Sequence, residues 1–483
     1  MTLQFLSFNF LTLLYILDIL IAFTIIFLER KNPTSTLVWI LFLFLLPGIG
    51  VLFYLLLSQN FMRKKMFAFQ SPEYKRYFSH LSKEIEDIKE GKLIFNNPEL
   101  ANYKDLILLH QNQSKAYFSQ NNQVEILTDG IEKFKELFRQ IKEAKSHVHI
   151  LYFIVKRDSL GEQLINILTE KARTGVEVRL IIDALGNKLL EKDFEPLINA
   201  GGKVSLFFPS FLSLVNLKIN YRNHRKLVII DGQIGFIGGF NVGNEYLGLK
   251  KSIGYWRDTH LLVRGSAVHE MQIRFLLDWK ISSAEELTYS LKYFPQPAVT
   301  GQTGIQIVSC GPEAPQEEIK QGYLKMINSA KKNIYIQTPY FIPDESIQEA
   351  LKIAVLSGVD VRIMMPNKPD HPFVYWASYS FIGDLVKIGV KAYLYEKGFL
   401  HAKTIVVDDI ISSVGTANFD IRSFKLNFEV NAFLYDREIA QKLQQAFEQD
   451  MLDCTLLTFE KYRKRSVLIQ FKESVSRLFS PLL

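Results

Sequence analysis

Hydrophobic positions are spread unevenly along the chain. From Leu3 to Leu28 the sole charge is Asp18, and after "ERKNPTST" a second apolar run extends from Leu37 to Leu57. Each run is long enough to cross a hydrocarbon layer of about 30 Å as a helix, so the pattern predicts two membrane-spanning helices within 1–59. A cleaved leader fits poorly: the first run has no basic start, exceeds the length of a signal core, and reaches "IIFLERKNP" without a small-residue cleavage site. The connection Glu29 to Thr36 carries Arg30 and Lys31, whereas Arg63, Lys64, Lys65, Lys75 and Arg76 follow the second run. That charge bias predicts a multi-pass hairpin in the cell membrane with the bulk of the chain on its cytoplasmic side.

Beyond a stretch of helices and polar connections at 60–122, the periodicity changes to alternating strands and amphipathic helices, and the pattern occurs twice. "AKSHVHILYFI" from Ala144 answers to "AKKNIYIQTPYFI" from Ala330; "EKARTGVEVRLIID" answers to "KIAVLSGVDVRIMMP"; "LINAGGKVSLF" answers to "LVKIGVKAYLY". Each copy reads strand, helix, strand, helix, strand, hairpin, which is an α/β unit. Gly175 and Gly358 close a helix in each copy where a left-handed residue is needed. The units are placed at 123–270 and 304–440, joined by a linker at 271–303 that contains "YFPQPAVTGQTG" and followed by a tail at 441–483.

Composition narrows the setting. A chain of 483 residues can hold two domains of ordinary size, and its net charge of +7 favours anionic partners without choosing among nucleic acid, anionic lipid and phosphorylated substrates. With only Cys310 and Cys454, a reducing compartment fits, while a disulfide scaffold and a cysteine metal site are excluded.

The hairpin of each unit carries the candidate chemistry. "NYRNHRKLVIID" contains His224, Lys226 and Asp231; "GFLHAKTIVVDD" contains His401, Lys403 and Asp408. Alternation puts each histidine and its lysine on one strand face. Asp231 lies an odd number of residues from His224 and opens the turn "DG", so its expected task is to fix the hairpin rather than to touch substrate. One His-x-Lys pair is a weak signal, but two at equivalent places in a duplicated unit are not. If the copies pack about a pseudo-two-fold axis, two imidazoles and two ammonium groups meet at one point. Such a set suits attack on a phosphodiester. A neutral imidazole displaces an alcohol from phosphorus, a protonated one hands a proton to the departing oxygen, and the lysines offset charge on the remaining oxygens. No metal or other cofactor is required.

"IGGFN" adds Gly238, Gly239 and Asn241, and "VGTANFD" adds Gly415, Thr416 and Asn418. Both sets read equally well as phosphate-approach segments or as glycines relieving a crowded strand end. Asp258 in "YWRDTH" and Glu429 in "LNFEVN" are acids inside strand-like, aromatic-rich runs, where an unpaired carboxylate is costly. Pairing with a histidine ring nitrogen removes that cost and sets the tautomer.

The doubled His-x-Lys-x4-Asp pattern resembles the phospholipase D superfamily. The surrounding text, from "NPTSTLVWILFLFLLPGIGVLFYLL" through "TPYFIPD", "KPDHPF" and "GTANFDIRSFKLNFEVN", is similar to the bacterial cardiolipin synthases over nearly the whole chain. The resemblance implies two pseudo-symmetric phospholipase D-like α/β domains packed around one shared active site, preceded by the transmembrane hairpin. It implies reversible phosphatidyl transfer between two phosphatidylglycerols, giving cardiolipin and glycerol through a phosphohistidine. His224 would be the nucleophile and His401 the acid and base, with roles that pseudo-symmetry leaves exchangeable. Lys226, Lys403, Asn241 and Asn418 match the phosphate-binding positions, Asp258 and Glu429 the histidine-orienting ones, and Asp231 and Asp408 complete the two motifs. Asp409 departs from the glycine common at its position, and "IIDALGN" departs where similar proteins carry a tyrosine and a serine.

Remaining candidates rank lower. His147 and His149 alternate on a strand, but Asn333 and Tyr335 replace them in the second copy, so surface or core histidines are expected there and no metal. His371 lies on a loop that could line an entrance but is more simply read as having no direct role, and Asp18, without a visible partner, reads as a functional marker at membrane depth or equally as a snorkelling or helix-contact residue. "FFPSFLSLVNLKINYR" and the tail, with Val467, Leu468, Phe471, Val475 and Leu478 below Lys461, Arg463, Lys464 and Arg465, suit contact with an anionic membrane. The tail reads equally well as a helix docked on the protein. Expected partners are phosphatidylglycerol, cardiolipin and an anionic membrane surface, not nucleic acid; a homo-oligomer is compatible. Three function classes stay open: a lipid transferase, a hydrolytic phospholipase D-type phosphodiesterase or nuclease using water or another alcohol, and a non-catalytic membrane scaffold.

Overall fold

The computed structural model describes residues 12–24, 33–46, 48–51, 54, 85–184, 186–187, 191–207, 221–285, 290–297, 301–312 and 316–480. The chain divides into two compact units, one of Met1–Gln70 with Ser210–Asn220 and one of Ser71–Pro209 with Tyr221–Leu483.

The first unit corrects the sequence expectation. Among the described residues no helix is long and apolar enough to cross a membrane. Residues 12–24 are helical, and the second helix, Pro33–Leu45, has 13 residues. At about 1.5 Å per residue such a helix covers roughly 20 Å of the ~30 Å required. The second apolar run is cut by Pro47 and by Gly48, whose φ is +76°. A proline disfavours helical geometry in the residue before it, and the left-handed glycine separates Pro33–Leu45 from the helical residues 49–51, whereas apolarity alone suggested one long span. The transmembrane hairpin is thus not found, and the multi-pass placement with a cytoplasmic catalytic body loses its support. Asp18 is buried in this unit, and its carboxylate has no hydrogen-bond partner among the described residues.

The second unit is built on a 15-stranded sheet. Its first half uses β1 (Ser119–Leu127), β2 (His147–Tyr152), β3 (Glu177–Asp183), β4 (Lys203–Phe207), β5 (Leu227–Ile230), β6 (Ile234–Gly238) and β8 (His260–Arg264), with β7 (Tyr255–Arg257) outside the main sheet. The second half uses β9 (Thr303–Cys310), β10 (Asn333–Gln337), β12 (Asp360–Pro366), β13 (Lys391–Tyr395), β15 (Thr404–Val407), β16 (Ile411–Gly415), β18 (Glu429–Tyr435) and β19 (Cys454–Leu457). Around them run the short β11 (Phe341–Ile342), β14 (Gly398–Leu400) and β17 (Phe419–Asp420).

The spatial order is β19-β13-β12-β10-β15-β16-β18-β9-β1-β8-β6-β5-β2-β3-β4. Read outward from the β9–β1 junction, the two halves follow the same course, with β19 added at the outer edge of the second, which is a pseudo-two-fold arrangement of two α/β halves. Every residue of β2 is buried, as expected for a strand covered on both faces. Each half has its own apolar core, around Ile150, Leu164 and Leu180 in the first and Ile336, Ile363 and Ile382 in the second. The helices start at side-chain caps: Asp129 accepts from the amides of Ile131 and Glu132, and Asp436 from that of Ile439. Gly175 and Gly358 take φ of +86° and +91° at the ends of Ser159–Arg173 and Glu345–Leu356, as their sequence positions predict.

Candidate active site

Two short parallel ladders tie the halves together beside the histidines. β14 pairs with β7 so that Leu400, before His401, faces Arg257, before Asp258. An isolated bridge joins Asn223, before His224, to Phe428, before Glu429. The His401 amide donates to the Arg257 carbonyl at 2.7 Å and the His224 amide to the Phe428 carbonyl at 2.9 Å. Register therefore sets each histidine against the acid of the other half.

The side chains follow. His224 Nδ1 lies 3.0 Å from both Oε1 and Oε2 of Glu429, and His401 Nδ1 lies 2.6 Å from Oδ2 of Asp258. Both carboxylates are fully buried. Their remaining valences are filled: Asn427 Nδ2 donates to Glu429 at 3.1 Å, and the Thr259 amide to Asp258 at 2.7 Å. With Nδ1–H held by a carboxylate, Nε2 of each ring keeps its lone pair, the tautomer a nucleophile or general base needs. Lys226 Nζ donates to the His224 carbonyl at 2.6 Å, and Lys403 Nζ to that of His401.

Burial lowers His224 to about 4 and His401 to about 3 despite the carboxylates, with the lysines of both halves contributing. Burial likewise brings Lys226 down to about 7 and Lys403 to about 8. For Glu429 and Asp258 burial pushes upward but is outweighed by the facing histidine and by lysine, so both stay below the usual carboxylate range. The mutual influence of Lys226 and Lys403 joins the halves in one electrostatic site. An anion placed among them would favour the protonated form of each.

The other expected residues divide by place. Asp231 and Asp408 accept backbone amides: Asp231 from Lys145, Ser146 and His147 at 2.8–2.9 Å, and Asp408 from Lys331, Lys332 and Asn333, the closest at 2.7 Å. Their φ values are +55° and +54°, and Gly232 and Asp409 follow at +65° and +60°, so both hairpins turn through two left-handed residues. Asp409 holds that geometry without glycine while accepting from Asn333 Nδ2 at 3.0 Å.

Asn241 is engaged with the Ile154 amide and the Tyr246 hydroxyl, and Asn418 Nδ2 with Asp420. Asn418 Oδ1 is buried without a partner among the described residues. A Cβ on Gly239 would meet Asp258 Oδ1 at 1.9 Å, and one on Gly415 would meet Asn431 Oδ1 at 2.2 Å. These glycines make room for buried side chains. His147 and His149 are core residues sharing Gln272 and form no site. His371 is exposed at the start of the helix Pro372–Val386.

Several supports were not singled out from sequence. Arg225, between the motif histidine and lysine, points to the other strand face. There it is fully buried, bonded to Asp278 at 2.6 Å and to the carbonyls of Glu429 and Cys310. Asp183 accepts the Asn223 amide at 2.7 Å. Phe153 stands edge-on to His224 and Trp256 lies 5.1 Å from His401. The alternation rule could have flagged Arg225; nothing in the spacing marks Asp183.

A family model described as "Cardiolipin synthase, PLD-like domain" matches residues 137–275 and 323–451, both halves of the duplicated body. The chain belongs to this family. A second model, "Phospholipase_D-nuclease N-terminal", matches residues 16–59. The chain is 51% identical to the major cardiolipin synthase of Bacillus subtilis (strain 168), over 98% of each chain. It is 50% identical to a cardiolipin synthase of Oceanobacillus iheyensis, again over 98% of each. The crystal structure of phosphatidylserine synthase from Haemophilus influenzae Rd KW20 superposes with a TM-score of 0.61, covering 78% of this chain and 100% of that one. At 14% identity this is a likeness of fold.

Proposed function

We infer that the protein is a cardiolipin synthase: it moves a phosphatidyl group from one phosphatidylglycerol to the free glycerol hydroxyl of another, giving cardiolipin and glycerol. The observation that carries this reading is the crossed pairing of His224 with Glu429 and His401 with Asp258, each pair taking one residue from either half, in a chain of this family. In the first step His224 Nε2 attacks phosphorus, a P–N bond forms, the P–O bond to glycerol breaks, and His401 gives glycerol its proton. In the second, His401 takes the proton of the incoming hydroxyl, whose oxygen attacks phosphorus as the P–N bond breaks. Glu429 and Asp258 stabilise the imidazolium at each stage, and Lys226 and Lys403 balance the non-bridging oxygens. Asn241 and Asn418 flank the phosphate; Asp231 and Asp408 act through the hairpins. Each step reverses by the same groups.

Purified protein given labelled phosphatidylglycerol tests this. Cardiolipin and glycerol in equal amounts support the transfer, phosphatidic acid would move the assignment to a hydrolase, and no turnover in an intact fold would refute both.

A further inference from the structure

The helix Val467–Leu478 is amphipathic in the wrong sense for a helix packed on a protein. Its buried residues are polar: Glu473 is 3% and Ser476 2% exposed. Four apolar residues are exposed, Val467 at 81%, Leu468 at 62%, Phe471 at 65% and Leu478 at 79%, and lie together on one side, with the exposed Gln470, Lys472 and Ser474 along its edges. Polar bonds hold this orientation. Glu473 accepts from Arg465 at 2.7 Å and from the Tyr462 hydroxyl at 3.1 Å, while Arg477 bridges to Asp384 and to Ser380 on the helix Pro372–Val386. The apolar side therefore faces outward by construction. Phe479 and the exposed Phe373 meet edge to face and extend the patch onto the neighbouring helix.

Isolated exposed leucines are ordinary, but a continuous apolar ridge of this kind marks a contact surface. Exposed Lys461, Arg463, Lys464 and Lys472 accompany the ridge. Apolar side chains beside a cationic rim fit the headgroup boundary of a bilayer, with the lysines and arginines meeting anionic headgroups.

We propose that the outward face of Val467–Leu478, with Phe373 and Phe479, is a docking surface for an anionic phospholipid bilayer. The choice of an anionic surface rests on the function proposed above; the apolar ridge does not.

The test uses the full chain with Cys454→Ser and a nitroxide on Phe471→Cys, leaving Cys310 buried. Phosphatidylglycerol vesicles should lower the label's collision rate with an aqueous nickel chelate severalfold and raise that with oxygen, and phosphatidylcholine vesicles should do so far less. A label at Gln470, on the flank, should change little. Three results would overturn the proposal: a label that stays water-exposed on phosphatidylglycerol vesicles, equal shielding by phosphatidylcholine, or shielding before lipid is added, which would mean a second copy or another segment covers the face. Leu468→Glu with Phe471→Glu keeps every polar bond of the helix. It should reduce turnover on vesicles severalfold while leaving turnover in detergent micelles unchanged, and an equal fall in both would contradict docking. Micelle turnover by the parent chain reports the reaction itself, so failure of that reading is seen separately.

Discussion

Replacing Glu429 by glutamine isolates the electrostatic part of the crossed pairing. The amide occupies nearly the same volume and can still accept the His224 Nδ1–H, so ring placement is kept while the charge is lost. At the observed 3.0 Å and an effective dielectric near 20, a carboxylate–imidazolium attraction is about 5 kcal/mol. The amide dipole retains part of it, so the net loss is about 3–4 kcal/mol, or between two and three decades in rate at ~1.36 kcal/mol per decade. Initial rates of cardiolipin formation from phosphatidylglycerol in mixed micelles measure this, with circular dichroism and a thermal melt to verify the fold. The loss should fall on kcat, because the charge interaction strengthens only when His224 becomes cationic. A folded Glu429→Gln enzyme within threefold of the parent rate would refute the reasoning, since a fully buried, charged partner of the histidine would then contribute nothing to the reaction.

Asp258→Asn should produce a comparable fall through His401, and the double variant should lose far less than the product of the single effects, because the two pairs serve one reaction; the same initial-rate assay checks both. Asp231→Ala removes the acceptor of three backbone amides and places alanine at a left-handed φ. Chemical denaturation should show a loss of about 3 kcal/mol in stability, with Asp231→Asn milder and the rate per folded molecule unchanged in both. His110 is fully buried and lowered to about 3 by burial, so the unfolded chain takes up its proton first as pH falls. The stability this group contributes is complete above about pH 6.5 and is lost as pH drops towards 3, by roughly 1.4 kcal/mol per unit. His110→Leu should make the fall of the denaturation midpoint over that window less steep, the other buried histidines keeping the rest of the slope. Chelating agents should leave the rate of cardiolipin formation unchanged, since the chemistry is assigned to imidazole and ammonium groups.

Much of this was legible in the residues because the unit occurs twice. Matching "HVHILYFI" with "NIYIQTPYFI" located the strands, and the repeated histidine and lysine picked out residues that the fold sets against buried acids, even though either pair alone says little. The partner of each histidine was not legible. Asp258 is closer in sequence to His224 than to His401, and only the β7–β14 register between the halves assigns it to His401. For Gly239 and Gly415 phosphate approach and a crowded strand end were equally open, and the crowding neighbours, Asp258 and Asn431, were not legible because they lie well along the chain. The membrane-spanning expectation counted apolar residues and passed over Pro47 and Gly48, which interrupt the second run. In the tail the heptad-like apolar spacing was visible, but which side faces the protein depends on Tyr462, Asp384 and Ser380, and no local pattern encodes that.

The central claim is that one histidine carries the phosphatidyl group while the histidine of the other half moves the proton. Rapid mixing with phosphorus-radiolabelled phosphatidylglycerol, quenching in base and mapping the labelled peptide by mass spectrometry tests it directly. The account predicts an acid-labile, base-stable adduct on the peptide containing His224, which a chase of unlabelled phosphatidylglycerol discharges as labelled cardiolipin. Labelled cardiolipin forming at full rate with no histidine adduct at any time, or with the adduct on a residue outside both motifs, would contradict it.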